Sequence, residues 1–204
     1  MAHEYLTITV GAILVNNFVL SKFLGICPFL GVSKRLGPAL GMSGAVVFVM
    51  ALAALCTASI YNFALSRNID FKLGGLSVQG NLEFLRTLVF IVVIASLVQV
   101  VELILQKVSP TLHKALGIYL PLITTNCAVM GVAVLNANTN RGVLDSTIYS
   151  IFSALGFSLA LVLFASIRER LDLAKIPRPF QGTAIALITA GILAMGFLGF
   201  SGLV

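Results

Sequence analysis

Long apolar stretches make up most of the chain and are separated by short polar connections. The stretches cover about residues 5–33, 39–65, 84–106, 115–136, 146–167 and 180–203. Each is close to or longer than the roughly 20 apolar residues that a helix needs to cross the hydrocarbon core of a bilayer. The pattern therefore predicts an all-α integral membrane protein with six transmembrane helices. These helices form one transmembrane domain over residues 1–204, with almost no sequence left for a soluble domain.

The composition supports a membrane protein. Only 10% of the residues are charged, 59% are hydrophobic, and the mean hydropathy is +1.07. Ordinary soluble domains carry roughly 25% charged residues. The N-terminus has no basic region before its apolar stretch and contains Glu4, which argues against a cleaved signal peptide. The first apolar stretch is therefore predicted to remain in the protein as a span.

The basic residues are distributed unevenly between the connections, and this predicts the orientation. One side holds eight of the 13 Lys and Arg residues: Lys34, Arg35, Lys107, Lys114, Arg168, Arg170, Lys175 and Arg178. By the positive-inside rule this side is cytoplasmic, so both termini are predicted to face outward. The net charge of +6 reflects this topology and forms no recognisable basic face. The bilayer is therefore an expected partner, and nucleic acid is not.

A short motif, Cys-x-x-x-Gly-Val, occurs at Cys27 and again at Cys127, 100 positions later. The copies lie on predicted spans one and four, so the repeat is three spans long and its second copy runs through the membrane in the opposite direction. We therefore predict two inverted three-helix repeats, about residues 1–107 and 108–204, which bring the cysteines to a similar depth. Glycine and proline residues surround both cysteines, so spans one and four are predicted to be interrupted near them. Tight helix packing is the alternative explanation of these residues.

The chemistry open to the cysteines depends on how many ligands the chain offers. An intramembrane cysteine is most often a small packing residue, which is our interpretation of Cys56. A disulfide between Cys27 and Cys127 is disfavoured if the thiols face a reducing compartment. Iron–sulfur clusters are usually held by four cysteines and structural zinc by four Cys or His ligands. The chain contains no Cys-x-x-Cys motif and only two histidines. A metal held by Cys27 and Cys127 would therefore require further ligands from a partner protein.

Four stretches of the chain resemble a known family. They are NNFVLSKFLGICPFLGVSKR, SPTLHKALGIYLPLITTNCAVMGVAVLN, GFSLALVLFASIRERL and PFQGTAIALITAGILAMGFLGFSGL. They closely resemble the A subunits of Rnf complexes, the ion-translocating ferredoxin:NAD+ oxidoreductases of bacterial membranes. These proteins are related to the E subunit of the sodium-pumping NADH:quinone oxidoreductase. The resemblance covers nearly the whole chain and is weakest in the loop over residues 66–83.

The resemblance implies a role in electron transport coupled to translocation of Na+ or H+. In this family the A subunit and the homologous E subunit form an inverted, pseudo-symmetric pair, and each contributes two cysteines to one shared [2Fe-2S] cluster. The matching residues are Cys27 and Cys127. The B, C, D and G subunits are further implied partners, and FMN and NAD are expected only on other members of the complex. The chain has no nucleotide-binding fingerprint, so no catalytic residue is predicted on it.

Polar residues near the cysteines are candidates for tuning the cluster or conducting the ion. Reduction adds negative charge to a site of low dielectric, and a nearby cation would offset this cost. The candidates are Asn16, Asn17, Lys22, Glu102, Thr124, Thr125 and Asn126. The alternatives are that Lys22 extends to the interface, that Glu102 lies at a solvated helix end, and that the amides and hydroxyls serve interhelical packing.

Two other functions share the same features. A secondary transporter built from inverted repeats, with no redox cofactor, would have the same interrupted helices. An assembly scaffold without a cofactor would tolerate replacement of both cysteines. Iron content and a visible absorption band distinguish the electron-transfer hypothesis from these two.

Overall fold

Helices form all the regular structure in the described part of the chain. The computed structural model describes residues 9–15, 17–62, 82–108, 120–139, 141–174 and 177–200, and no strand occurs among them. The α-helices are α1 (Phe18–Lys22), α2 (Ile26–Val32), α3 (Leu36–Ile60), α4 (Leu82–Val108), α5 (Leu120–Thr124), α6 (Cys127–Asn138), α7 (Val143–Asp172) and α8 (Thr183–Leu198). A π-helical turn, Gly11–Val15, precedes α1, and a 3-10 turn, Arg178–Phe180, precedes α8. The all-α prediction is confirmed, whereas Asn16 and most of the predicted loop lie outside the described residues.

Within the described ranges, three helices are long and apolar enough to cross a membrane: α3, α7 and the Thr87–Ile104 part of α4. The segments Gly11–Lys22 and Ile26–Val32 meet at an angle of 90°, and if they are taken together they form a fourth span. Two shorter apolar segments remain. One is Leu122–Asn138, which comprises the end of α5 and all of α6, and the other is Thr183–Leu198, which is α8. These helices coincide with the apolar stretches of the sequence. The count of six spans and the two inverted repeats stay predictions.

The helices α3 and α7 pack against each other and form the centre of the structure. Fully buried residues on these two helices are mostly small: Ala39, Met42, Val46, Ala154, Ala160, Leu161 and Ala165. In a membrane the hydrophobic effect does not drive helices together, because lipid tails are as apolar as the side chains. Small residues instead allow the helix backbones to approach closely and make van der Waals contacts. The buried Ser43 and Thr57 hydroxyls donate to carbonyls one turn earlier in α3. The hydroxyl donors of Ser43 and Thr57 are therefore both paired within the apolar centre.

Apolar side chains also cover the outer faces of α4 and α8. The exposed ones include Leu88, Ile91, Val92, Val100, Leu103, Ile104, Leu187, Ile188, Ile192 and Met195. Soluble proteins rarely expose apolar surfaces of this extent. Contact with lipid or with other membrane proteins accounts for these faces.

The first helix break lies between α1 and α2, just before Cys27. Asn17 begins α1 because its side-chain oxygen accepts a hydrogen bond from a backbone N–H two residues later. The helix ends after Lys22, where Phe23 adopts a left-handed conformation (φ 54°) and its N–H returns to the first turn of α1. Gly25, also left-handed (φ 86°), then begins α2 in a new direction.

The second break lies between α5 and α6, immediately before Cys127. The helix α5 ends at Thr124, and Asn126 begins α6 with an extended backbone (ψ 111°). Its side-chain oxygen accepts a hydrogen bond from the Ala128 N–H. Both cysteines therefore lie in the first turn of a helix that follows a break, as the sequence predicted.

The glycines of the repeated motif do not themselves interrupt the helices. Gly31 and Gly131 lie inside α2 and α6, respectively. Pro28 lies in the first turn of α2, where a missing N–H removes no intrahelical hydrogen bond. The two glycines instead allow close packing, which is the alternative that the sequence left open. The breaks are made by the residues that directly precede the cysteines.

Candidate functional site

The two cysteine motifs meet directly, although they are far apart in sequence. The backbone N–H of Gly25 donates a hydrogen bond to Sγ of Cys127 at 2.9 Å, across 102 positions of the chain. Cys27 follows Gly25 by two residues. The bond therefore joins the beginning of α2 to the beginning of α6 and brings the two predicted ligand-bearing segments together.

Packing around this contact is reciprocal. A Cβ added at Gly131 would come within 2.7 Å of Cδ1 of Leu24, which precedes the first cysteine. A Cβ added at Gly31 would come within 3.8 Å of Cδ2 of Leu122, which precedes the second. Each motif glycine thus faces a leucine from the segment before the other cysteine.

The helix α7 lies beneath the contact and restricts it sterically. A Cβ added at Gly25 would lie 3.0 Å from Cε2 of Phe157 and 3.1 Å from Cβ of Ala128. The Phe157 side chain is fully buried, and its ring stacks on that of Phe18 with 6.2 Å between centroids. No larger residue than glycine therefore fits between the two helix breaks without displacing the core.

The three cysteines differ in accessibility. Cys27 is exposed and Cys127 is half-buried, whereas Cys56 lies half-buried on α3. Among the residues that the structure describes, no group of three or more His, Cys, Asp or Glu side chains is arranged to hold a metal ion. The site therefore offers two thiols from this chain, one of which reaches the protein surface. A metal bound there would need ligands from outside the described residues.

Two asparagines cap the helices at this site, and they differ in one respect. The Asn17 amide nitrogen donates to the carbonyl of Gly156 at 2.7 Å and to that of Ile13 at 3.2 Å. The Asn126 amide nitrogen is buried and has no hydrogen-bond partner in the part of the chain that the structure describes. Both asparagines are almost inaccessible, at 1% and 2% exposure. The structure thus separates a packing asparagine from one whose donor is unused.

The remaining predicted polar residues lie in different environments. Lys22 is exposed at the end of α1, three residues before Gly25. Thr124 is half-buried and Thr125 is exposed, both in the segment that leads to Cys127. Glu102 is half-buried on α4, which packs against α5 and α6. Asn16 lies outside the described residues.

Arg168 is a positioning residue that sequence reasoning used only to assign the orientation. Its Nη1 atom donates to the carbonyl of Leu30 at 2.9 Å and to the Ser33 hydroxyl at 2.8 Å. A cation is favourable at the C-terminal end of a helix, where carbonyls lack intrahelical partners. Beside it, the rings of Phe29 and Phe164 stack with 4.3 Å between centroids. These contacts attach α2, which carries Cys27, to α7.

A small, partly open cleft between α3, α4, α6 and α7 was also not predicted. It holds about 10 Å³, roughly the space of one water molecule, and its lining combines apolar side chains with Thr57, Asn136, Arg141 and Ser146. The Asn136 amide nitrogen donates to Ser150 Oγ at 2.9 Å, while its buried oxygen has no partner among the described residues. The surrounding hydroxyl groups make this cleft suitable for a water molecule that donates to that oxygen.

Comparison with known proteins identifies the family. Residues 5–204 match the family described as "Rnf-Nqr subunit, membrane protein". A protein of Edwardsiella ictaluri, named as the A subunit of an "Ion-translocating oxidoreductase complex", is 54% identical over 201 residues, which cover 98% of each chain. Proteins named in the same way from Sodalis glossinidius and Yersinia pseudotuberculosis are also 54% identical, and the matches cover 98% of this chain and 97% and 98% of theirs. The chain thus belongs to the Rnf-Nqr family of membrane subunits.

Proposed function

We propose that this chain is the A-type membrane component of an Rnf-type ferredoxin:NAD+ oxidoreductase that couples electron transfer to translocation of Na+ or H+. In this proposal Cys27 and Cys127 supply half the ligands of a [2Fe-2S] cluster that is shared with a homologous E subunit. The observation that carries the proposal is the hydrogen bond from the Gly25 N–H to Cys127 Sγ. It joins two cysteine motifs that otherwise lie far apart in the chain.

The residues present fit half of such a ligand set. Iron–sulfur clusters are held by cysteine thiolates, usually four of them. The exposed Cys27 thiol and the half-buried Cys127 thiol belong to segments that the hydrogen bond from Gly25 to Cys127 joins, and two more thiols would come from a partner. A backbone N–H that already points at Sγ is the kind of donor that stabilises a metal-bound thiolate. Cys56 lies apart on α3 and is not included in the site.

When bound, the cluster would supply a one-electron carrier within the membrane. The residues of this chain hold the ligands in place. Asn126 caps α6 so that Cys127 begins a helix, and Gly25 provides the sharp turn before Cys27. Arg168 ties the far end of α2 to α7. NAD and FMN would bind to other members of the complex, since nothing in the sequence of this chain resembles a nucleotide site.

We further propose that the two motifs belong to inverted repeats of three spans each. The repeated Cys-x-x-x-Gly-Val motif and the helix break before each cysteine support this relation between the segments. The bent α1–α2 pair and the α5–α6 pair would then be the interrupted spans one and four. Lysine and arginine counts favour periplasmic termini in the bacterial inner membrane.

Coupling to ion movement would follow from the charge of the site. A reduced site carries more negative charge in a low dielectric, and a cation close to it lowers that cost. Lys22 is a fixed cation three residues before Gly25, and Glu102 on α4 is a candidate ligand for a mobile one. Entry of Na+ or H+ on reduction, and its release on the opposite side after a movement of the two repeats, would complete the cycle.

Anaerobic purification of the complex with its membrane partners tests the proposal. We would measure iron content and the electron paramagnetic resonance (EPR) spectrum after dithionite reduction. We expect a [2Fe-2S] signal in the wild type that is lost in both Cys27→Ser and Cys127→Ser. Cys56→Ser is the matched control, because it removes a half-buried thiol outside the site and is expected to keep the signal.

Two outcomes would contradict the proposal. A signal that persists in Cys127→Ser would show that the cluster is bound elsewhere. An assembled wild-type complex whose membrane pair contains no iron would favour the secondary transporter, because the cysteines would then be packing residues.

A further inference from the structure

We infer that the Asn126 side-chain amide donates a hydrogen bond to a sulfur atom of the bound cluster and thereby raises its reduction potential. This inference rests on the proposed function and adds a positioning residue to the same site. Its starting point is an unmet donor, because the Asn126 amide nitrogen is buried without a partner among the residues that the structure describes. A buried donor left unpaired is costly, and such groups usually have a partner in the functional state.

The orientation of the amide follows from its other contact. The side-chain oxygen accepts a hydrogen bond from the Ala128 N–H at 3.0 Å and caps α6. The nitrogen is therefore the free end, and it cannot be exchanged with the oxygen without losing the cap. The same oxygen would lie 3.4 Å from a Cβ at Gly25, so the amide borders the contact between the two cysteine motifs.

Comparison with Asn17 shows that helix capping alone does not require an unpaired nitrogen. Asn17 caps α1 in the same way, through its side-chain oxygen and the N–H two residues later. Its nitrogen, however, donates to Gly156 O and Ile13 O. A capping asparagine in this fold can thus satisfy both ends within the chain. Asn126 does so at one end only, and it is the asparagine that adjoins a cysteine.

Asn136 offers a comparison with a site that has room for a water molecule. Its unpaired oxygen belongs to a residue that lines the small cleft described above. Asn126 lines neither that cleft nor a similar one lined by Asn17, Ser21 and Phe197. Asn126 instead directly precedes Cys127 in the chain, and its side-chain oxygen borders the contact at Gly25. A sulfur atom supplied from outside this chain, either a bridging sulfide or a thiolate of the E subunit, provides the acceptor that the donor lacks.

The expected consequence is a shift in the redox equilibrium. One-electron reduction adds one negative charge to the site, and an N–H dipole directed at sulfur stabilises the reduced form more than the oxidised form. Loss of this donor is expected to reduce the equilibrium constant for reduction about tenfold, which for one electron lowers the midpoint potential by about 59 mV. No covalent bond forms or breaks in this step.

The test is an anaerobic redox titration of the EPR signal in the purified complex. In Asn126→Ser the hydroxyl still caps α6 but the amide is absent, so the midpoint potential should fall while the signal remains. The matched control is Asn17→Ser, which also keeps a cap and loses an amide. We expect it to lower stability without shifting the potential, because its amide bonds to backbone carbonyls. An unchanged potential in Asn126→Ser would overturn the inference.

A second measurement does not depend on the variant assembling. Wild-type complex labelled with ¹⁵N in asparagine side chains is examined by pulsed EPR for a nitrogen coupling to the reduced cluster. A coupling supports the inference. A cluster without this coupling overturns the role of Asn126 and leaves the proposed function intact, whereas a complex without any cluster overturns both.

Discussion

Replacement of Gly25 by alanine is expected to destabilise the protein by about 2–5 kcal/mol, combining backbone strain with overpacking. The residue has φ 86°, a conformation that residues with a Cβ adopt at a cost. The new Cβ would also lie 3.0 Å from Cε2 of Phe157 and 3.1 Å from Cβ of Ala128. Neither atom is the free end of a flexible chain, because Phe157 is fully buried. Relief therefore requires α2 and α6 to separate.

The measurement is the apparent melting temperature of the detergent-solubilised complex together with its iron content. For a chain of this size the expected loss corresponds to about 5–15 °C. Iron content should fall as well, since the displaced backbone would withdraw Cys27 from Cys127. If Gly25 only made the chain flexible, Gly25→Ala would lower neither the melting temperature nor the iron content.

Two glycines serve as controls for this variant. Gly182 also has a positive φ, of 90°, but a Cβ there would meet nothing within 4 Å. Gly182→Ala therefore incurs only the strain of the backbone. Gly44 lies in α3 with open space around it, so Gly44→Ala incurs neither cost. Gly182 also differs from Gly25 in ψ, −126° against 20°, so Gly44→Ala is the reference variant. A melting temperature for Gly25→Ala equal to that of Gly44→Ala would contradict the strained, close approach of the two cysteine motifs.

Replacement of Arg168 by leucine is expected to destabilise the protein by about 2–4 kcal/mol, because two hydrogen bonds from a charged donor are lost. The carbonyl of Leu30 and the fully buried Ser33 would lose the guanidinium partner at the end of α2. Since α2 carries Cys27, the second expected effect is a lower occupancy of the cluster. Melting temperature and iron content of the same preparation measure both effects.

Arg170→Leu is the matched control for the charge. Arg170 is exposed, lies two residues further along α7 and belongs to the same predicted cytoplasmic cluster. Both variants remove one positive charge from that side of the membrane, but only Arg168→Leu removes the contacts with α2. Arg168→Lys keeps the charge without the planar fork of donors and should give an intermediate loss. If Arg170→Leu is as damaging as Arg168→Leu, the effect is topological rather than local.

The general site was accessible to sequence reasoning, but its internal division of roles was not. The repeated Cys-x-x-x-Gly-Val motif indicated two related segments, and both prove to begin helices after a break. The same reasoning treated Asn17 and Asn126 alike. Their separate roles depend on whether a carbonyl from α7 lies beside the amide, and nothing in the local sequence encodes that neighbour. Arg168 was assigned only to a charged connection for the same reason.

The helix breaks illustrate a similar limit. Glycine and proline near the cysteines predicted an interruption, yet Gly31 and Gly131 lie inside helices. The sequence does not distinguish a glycine that turns the chain from one that makes room for a neighbouring side chain. The left-handed conformation of Phe23 at the end of α1 could not be predicted, because glycine is the usual residue in this capping position.

The sequence by itself determined that the chain is an all-α membrane protein and that its three cysteines are too few to complete a four-thiolate site. Both conclusions come from counting: the first counts apolar residues along each segment, and the second counts the available ligands. Such counts are the same in the folded and the unfolded chain. Only the tertiary structure decided that the Gly25 N–H reaches Cys127 and that the Asn126 amide stays unpaired. Hydrogen bonds form over about 3 Å, so they depend on how helices distant in sequence pack together rather than on the residues of any one segment.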